Sequence, residues 1–108
     1  MQPLQRVTAP TVEVLRALLN AGDPVWGLRL VKATGRPAGS VYPILSRLEE
    51  SGWLVGQWED DTTRDGPRRR LYRFTADGAP AAREVVAAFE ARRAPAGYWS
   101  PVIPGGAT

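Results

Sequence analysis

The sequence predicts a mostly helical α+β fold, in which three helices precede a β-hairpin and a fourth helix follows it. Apolar residues recur at helical spacing before residue 52 and again after residue 75. Between these segments lie two runs of strand-forming residues, WLVGQWE and RRRLYRFT, joined by the polar turn DDTTRDGP. The chain has 108 residues, which is the size of one domain.

Composition restricts the chemistry that the chain can perform. The absence of Cys and His removes thiolate and imidazole catalysis and nearly every transition-metal site. We therefore expect no enzymatic activity, no metal and no cofactor. No apolar run approaches the roughly 20 residues of a membrane span, and the first residues, MQPLQRV, lack the apolar core of a signal peptide. These features predict a cytoplasmic protein without a membrane partner. A net charge of +3 suits a phosphate-bearing partner.

The first helix is expected to follow a short arm formed by residues 1–7. Thr8 can cap this helix, and Gly22 suits its C-terminal end. Its apolar stripe consists of Val14, Leu15, Leu18 and Leu19. After a turn, Val25 is predicted to join the sheet as a very short strand. A second helix is predicted from about residue 26 to 34, with Leu28 and Val31 pointing inward.

The third helix is predicted from Pro37 to Glu50, directly after a tight turn that contains Gly35. Its apolar face consists of Val41, Ile44, Leu45 and Leu48. The opposite face carries small, hydroxylated and cationic residues, and Pro43 is expected to bend or loosen the helix. Two helices joined in this way form a helix-turn-helix, and the polar face of the second suits the DNA major groove. The residues predicted to contact DNA here are Gly39, Ser40, Tyr42, Pro43, Ser46 and Arg47.

The hairpin behind this unit is predicted to be a wing. Over residues 60–70 the four arginines and three aspartates sum to 4 − 3 = +1, so the wing is not a simple basic patch. We expect Arg64, Arg68 and Arg69 to contact the phosphate backbone or the minor groove. The alternative is a solvated hairpin with local ion pairs. Tyr72 and Phe74 should face the core.

The last helix is predicted to begin in regular form at Pro80 and to end near residue 93. It carries an apolar stripe of Ala82, Val85, Val86 and Phe89. We expect this stripe, together with Leu15 and Leu18 of the first helix, to form a homodimer interface, since a chain of this length has little core of its own. The alternative is packing within one chain. The chain is therefore divided into an N-terminal arm (1–7), a winged helix-turn-helix DNA-binding domain (8–75), a dimerisation helix (76–94) and a tail rich in Pro and Gly (95–108).

The aromatic residues raise the question of an effector. Trp26 and Trp99 are candidates to line a pocket for a small apolar or aromatic molecule. The alternative is that Trp26, like Trp58, packs in the core or at the base of the wing.

Residues 39–52, GSVYPILSRLEESG, resemble the recognition helix of the PadR-like transcriptional regulators. The resemblance continues through the wing, with the Gly-Pro-Arg tip at residues 66–68, Tyr72, and the Thr-x-x-Gly of residues 75–78. It covers roughly residues 8–92 and implies a winged helix-turn-helix that binds double-stranded DNA as a homodimer. It also implies an inverted-repeat operator and repression that is often relieved by a small molecule or a stress signal. The sequence departs from the family at Pro37, where a Ser or Thr cap is common, and at Pro80, and we expect no large C-terminal helical domain.

The alternative function is a winged-helix module that binds another protein, because a fold does not determine a function. The two hypotheses differ in what position 47 should tolerate. A surface that contacts protein could accept Glu there, whereas one that faces DNA should not.

Overall fold

The fold consists of four helices and one antiparallel sheet, which confirms the predicted class. The computed structural model describes residues 1–22, 24–60, 66 and 68–93. In chain order the elements are α1 (Ala9–Asn20), β1 (Val25–Trp26), α2 (Gly27–Thr34), α3 (Ala38–Glu50), β2 (Leu54–Trp58), β3 (Arg70–Phe74) and α4 (Gly78–Arg93). Arg64, Trp99 and the tail predicted at 95–108 lie outside the described residues.

The sheet has three strands in the order β1-β3-β2, with both pairs antiparallel. Tyr72 of β3 lies opposite Val25 on one side and Gly56 on the other. The very short strand predicted at Val25 therefore exists, and it joins the helix-turn-helix to the hairpin. β2 and β3 form the wing that follows α3.

Local capping explains where the helices begin and end. The Thr8 hydroxyl accepts a hydrogen bond from the Thr11 N–H at 3.4 Å, as expected for an N-cap. Gly35 ends α2 with a left-handed φ of +70°, which a residue with a side chain rarely adopts. α4 begins at Gly78 rather than at Pro80, because the Thr75 hydroxyl accepts the Gly78 N–H at 3.0 Å. Pro80 is tolerated in the first turn, where a missing N–H costs nothing.

The core is built from one face of each helix and the inner side of the sheet. The buried face of α3 consists of Val41, Ile44, Leu45 and Leu48, as predicted. Tyr72 is buried and Phe74 packs against the core, also as predicted. In α2, Val31 packs against the core, as predicted. Leu30, which was not predicted, is fully buried, and Leu28 is only half-buried.

α4 packs against α1 within the same chain, so the structure buries most of the apolar stripe that was predicted to form a dimer interface. Ala82 and Leu15 are completely buried, and Leu18 and Val86 are 5% and 9% exposed. In this conformation little of these four side chains is left for a partner chain to cover. The alternative of intrachain packing therefore accounts for most of the apolar stripe. Val85 and Phe89 remain half-buried at its margin, and for these two the interface stays a prediction.

The wing extends beyond the core. Leu54 at the start of β2 is buried, but Trp58 at its end is 52% exposed. The expectation of core packing for Trp58 was therefore wrong, although Arg70 on the paired strand lies 5.2 Å from its ring. The wing thus presents an aromatic ring and several arginines to solvent.

Candidate nucleic-acid interface

The exposed face of α3 is narrow, and its acids lie at its C-terminal end. The exposed residues are Ala38, Gly39, Ser40, Pro43, Ser46, Arg47 and Glu50. At about 100° per residue, Gly39, Pro43, Ser46 and Glu50 lie along the middle of this face. Ser40 and Arg47 lie along one edge, and Tyr42 and Glu49 lie along the other. We call these eight residues along the middle and the two edges the reading face. They include the six α3 residues that were predicted to contact DNA.

No side chain caps the N-terminal end of α3. Its N-cap is Pro37, which makes no side-chain cap, and the first turn contains no acid. The Pro37 carbonyl accepts the N–H groups of Ser40 and Val41 at 2.9 and 3.1 Å. The N–H groups of Ala38 and Gly39 precede these and have no intrahelical acceptor. Such N–H groups at the positive end of a helix suit a phosphate oxygen.

Pro43 does not interrupt α3, which is continuous from Ala38 to Glu50. Proline lacks the N–H that would otherwise bond to the Gly39 carbonyl four residues earlier. Pro43 is exposed, and so is Gly39. The Gly39 carbonyl therefore lacks this helical hydrogen bond, and it remains an acceptor on the reading face.

Tyr42 has a structural contact that its sequence position did not reveal. Its ring lies so close to Gly27 at the start of α2 that a Cβ at Gly27 would be 2.9 Å from the Tyr42 Cε1 atom. The same Cβ would be 3.2 Å from Cε2 of Tyr72 in β3. Tyr42 is half-buried against the core. It therefore helps to set the position of α3 against α2 and β3, whether or not its hydroxyl also meets DNA.

The wing is joined to the end of α3 by an ion pair. Nη2 of Arg70 donates to Oε2 of Glu49 at 2.8 Å, and the two side chains are 28% and 32% exposed. Gly56 of β2 lies beneath this pair, since a Cβ there would be 2.8 Å from Oε1 of Glu49. The sequence analysis did not identify this contact. Gly56 within a strand pattern was the only local signal of a close approach.

Three consecutive arginines of the wing have three different environments. Nε and Nη2 of Arg68 donate to the Glu59 carbonyl at 3.2 and 3.0 Å, and its side chain stays exposed. The Arg69 guanidinium lies 3.8 Å from the centre of the Trp26 ring. Arg70 forms the ion pair with Glu49. Arg69 was predicted to contact DNA and Trp26 to line a pocket, but the structure stacks these two on each other.

A second ion pair holds the turn before α3. Nε and Nη2 of Arg36 donate to the two carboxylate oxygens of Glu13 in α1, at 2.8 and 2.9 Å. The hydrogen bond from Arg36 lowers the pKa of Glu13, and it raises the pKa of Arg36 in turn. Arg36 is thereby committed to a contact within the chain. Arg47, the cation of the reading face, has no ion-pair partner among the described residues.

Other kinds of site lack support in the part of the chain that the structure describes. No group of three or more acidic residues is placed to hold a metal ion among residues 1–22, 24–60, 66 and 68–93. None of the helices in these ranges is both long enough and apolar enough to cross a membrane.

Sequence comparison places the chain among known regulators. The model of the transcriptional regulator PadR-like family matches residues 17–84, which include the C-terminal end of α1, all of α2 and α3, the wing and the start of α4. The chain belongs to the PadR-like family. No curated protein matches this PadR-like chain in sequence.

Solved structures share its fold. A PadR-like transcription factor from Bacteroides fragilis has a TM-score of 0.56 at 26% identity, covering 75% of this chain and 82% of that one. BpsR from Bordetella bronchiseptica has a TM-score of 0.66 at 24% identity, covering 94% and 72%. A MarR family regulator from Silicibacter pomeroyi has a TM-score of 0.59 at 24% identity and covers 79% of this chain. The present chain spans only 56% of that regulator's length.

These comparisons agree with the geometry. A winged helix-turn-helix whose third helix has no acid in its first turn occurs in a chain whose family consists of transcriptional regulators. The PadR-like chain is therefore a DNA-binding transcriptional regulator.

Proposed function

We propose that this PadR-like regulator represses transcription by binding an inverted-repeat operator as a homodimer. In each chain α3 enters the major groove of one half-site, and the wing lies on the flanking backbone or in the minor groove. The observation that carries the proposal is the reading face of α3. Its first turn has free N–H groups and no acid, its middle carries the small residues Gly39, Pro43 and Ser46 before Glu50, and Arg47 lies at its edge.

Affinity and specificity come from different parts of this surface. Arg47, Arg68 and the first turn of α3 would neutralise phosphates, which gives sequence-independent affinity. The side chains along the middle of the reading face would contact base edges. Because these side chains are short, the backbone of α3 can lie deep in the groove. A two-fold dimer then requires two half-sites about one helical turn apart.

The proposal is tested by selecting bound fragments from genomic DNA and measuring their affinity by fluorescence anisotropy. We expect the selected sites to contain an inverted repeat and to resist competition by unrelated DNA. The affinity should fall steeply between about 50 and 200 mM salt, because bound counterions are released from the phosphates. Arg47→Ala should weaken binding, whereas Arg83→Ala, an exposed arginine on α4, should not. Weak binding that shows no enrichment of any sequence would contradict the proposal.

A substitution that reverses the charge at position 47 distinguishes the DNA-binding hypothesis from the protein-binding alternative. Arg47→Glu should abolish DNA binding, because the new carboxylate would face phosphate. In cells, the same variant should derepress a reporter placed behind the selected operator. If the reporter stayed repressed, the reading face would not be the surface that acts on the promoter.

A small aromatic effector is the remaining part of the proposal. BpsR, one of the structural neighbours, has its DNA binding regulated by 6-hydroxynicotinic acid. In the present chain, Trp26 would report on such a molecule, because its ring is covered by Arg69 and borders the wing. Tryptophan fluorescence should change with an effector, and the change should be smaller in Trp26→Phe. No change across a panel of planar aromatic acids would remove this part of the proposal.

A further inference from the structure

Residues 1–7, the N-terminal arm, are fixed along the C-terminal half of α3. The Gln2 N–H donates to the Ser51 carbonyl at 2.8 Å, and Nε1 of Trp53 donates to the Gln2 carbonyl at 2.6 Å. Leu4 packs against the core. The arm is therefore anchored at both its first residues and its middle, and it runs from the end of α3 toward the start of α1.

This path brings a second arginine beside Arg47. Arg6 and Arg47 line the same groove, which has a volume of about 360 Å³ and lies between the arm and α3. Both side chains are exposed, and neither has an ion-pair partner among the residues that the structure describes. No residue that lines the groove is acidic. The hydroxyls of Thr8 and Thr11, on its other wall, are 3.0 Å apart and bond to each other.

Two guanidinium groups on one groove repel each other, and an anion between them would relieve the repulsion. Elsewhere in the described chain, arginines near an acid are paired: Arg36 with Glu13, Arg70 with Glu49 and Arg16 with Glu90. Arg6 and Arg47 line one groove that has no carboxylate among its lining residues. A planar guanidinium suits the oxygens of a phosphate, and two of them can bind one phosphate from both sides.

The position of the groove identifies the phosphate. Arg47 lies on the edge of the reading face that is opposite the edge of Glu49 and the wing. The arm therefore lies on one side of the recognition helix and the wing on the other. We propose that the arm is a second backbone-binding element, in which Arg6 and Arg47 together bind one DNA phosphate at the border of the major groove. This inference rests on the proposed placement of α3 in that groove.

Arg6→Ala tests the proposal without a change in the core. We expect about tenfold weaker binding per half-site, by a similar factor on operator and on unrelated duplex DNA. The slope of log affinity against log salt should fall by about 1 per chain. Arg6→Lys should retain part of the affinity, because it keeps the charge but not the planar fork. Gln5→Ala, an exposed neighbour that lines the same groove, should bind as the wild type does.

A shared phosphate also predicts coupling between the two arginines. The losses for Arg6→Ala and Arg47→Ala should not add in the double variant, since both remove the same contact. In a series of operators that each carry one neutral methylphosphonate, the substitution at one backbone position should weaken binding of the wild type. At that same position it should leave the affinity of both variants unchanged.

The outcomes separate the arm from the repressor function. If Arg6→Ala binds every duplex as tightly as the wild type, with an unchanged salt slope, the arm proposal is overturned while the repressor proposal stands. If the wild type binds only without sequence preference but Arg6→Ala still lowers that affinity and the slope, the arm proposal is supported and the repressor proposal fails. A wild type that binds no DNA overturns both.

Discussion

The Glu49 carboxylate near the end of α3 accepts a 2.8 Å hydrogen bond from Arg70 of β3, and this contact joins the recognition helix to the wing. Arg70 is also placed by two rings, since its guanidinium lies 5.2 Å from the Trp58 ring and 6.0 Å from the Tyr72 ring. Burial raises the pKa of the Tyr72 hydroxyl, so this ring stays neutral beside the ion pair. The wing is thus held against α3 by a charged contact at a half-exposed site.

Glu49→Ala should weaken DNA binding although it removes a negative charge from the reading face, which is proposed to face DNA. The physical reason is that Arg70 loses the contact that fixes the wing. Because the pair is partly exposed, the free energy of unfolding should fall by less than about 1 kcal/mol. Anisotropy titrations and urea unfolding of the same variant would measure the two effects.

Glu50→Ala is the matched control for this prediction. Glu50 is the next residue and is exposed, and it has no ion-pair partner in the described part of the chain. Its removal should strengthen binding slightly, as expected for the loss of one repulsive charge. Equal strengthening by both variants would show that the Glu49–Arg70 pair does not position the wing for DNA.

Gly39→Ala should separate stability from recognition. A Cβ at Gly39 would meet nothing within 4 Å in the protein, and alanine favours a helix by about 1 kcal/mol over glycine. The variant should therefore unfold at higher urea concentration. If the first turn of α3 lies against DNA, the added methyl group should nevertheless weaken operator binding. A variant that is more stable and binds with unchanged affinity would place DNA away from Gly39.

The sequence predicted the order and ends of the elements well because these depend on local interactions. Thr8 caps α1, Gly35 ends α2, and the buried face of α3 follows from its apolar spacing. An apolar stripe does not say what covers it. The stripe on α4 was therefore assigned to a partner chain, although most of it is covered by α1 of the same chain.

The contacts that organise the candidate site were not predictable in this way. Glu49 and Arg70 are 21 residues apart, and Glu13 and Arg36 are 23 residues apart. In the sequence these charges look like parts of solvated faces. Only the packing of the helices and strands brings each acid to its arginine, and a single sequence carries no signal of such a pair. The groove between the arm and α3 was missed for the same reason.

The pair formed by Glu13 and Arg36 predicts a pH-dependent contribution to stability. Its hydrogen bond from Arg36 lowers the pKa of Glu13 below the ordinary value of 4.5. A carboxyl with a lowered pKa stabilises the fold at pH values above its unfolded pKa, and this stabilisation is lost as the pH falls through the folded pKa. Glu13→Gln should therefore be less stable than the wild type at pH 7, and the difference should shrink below about pH 4.5.

Urea unfolding at pH 7, 5, 4 and 3 would measure this difference, with Glu84→Gln as the control. Glu84 is exposed on α4 and has no ion-pair partner among the described residues. Its substitution should change stability little at any of these pH values. A difference for Glu13→Gln that stayed constant from pH 7 to pH 3 would contradict the assigned role of the carboxylate.

Phe89→Asp should shift the proposed homodimer toward monomer. Phe89 and Val85 are the members of the predicted interface that stay half-buried in the single chain, and the Arg93 guanidinium lies 5.3 Å from the Phe89 ring. A carboxylate at position 89 would replace the apolar ring by a charge that must be desolvated if a partner chain covers this margin of α4. Light scattering should then give about half the mass of the wild type at equal concentration. Ala87→Asp, on the exposed side of the same helix, should leave the mass unchanged. If Phe89→Asp keeps the wild-type mass, the chains associate through another surface, and the spacing of the two reading faces must be set there.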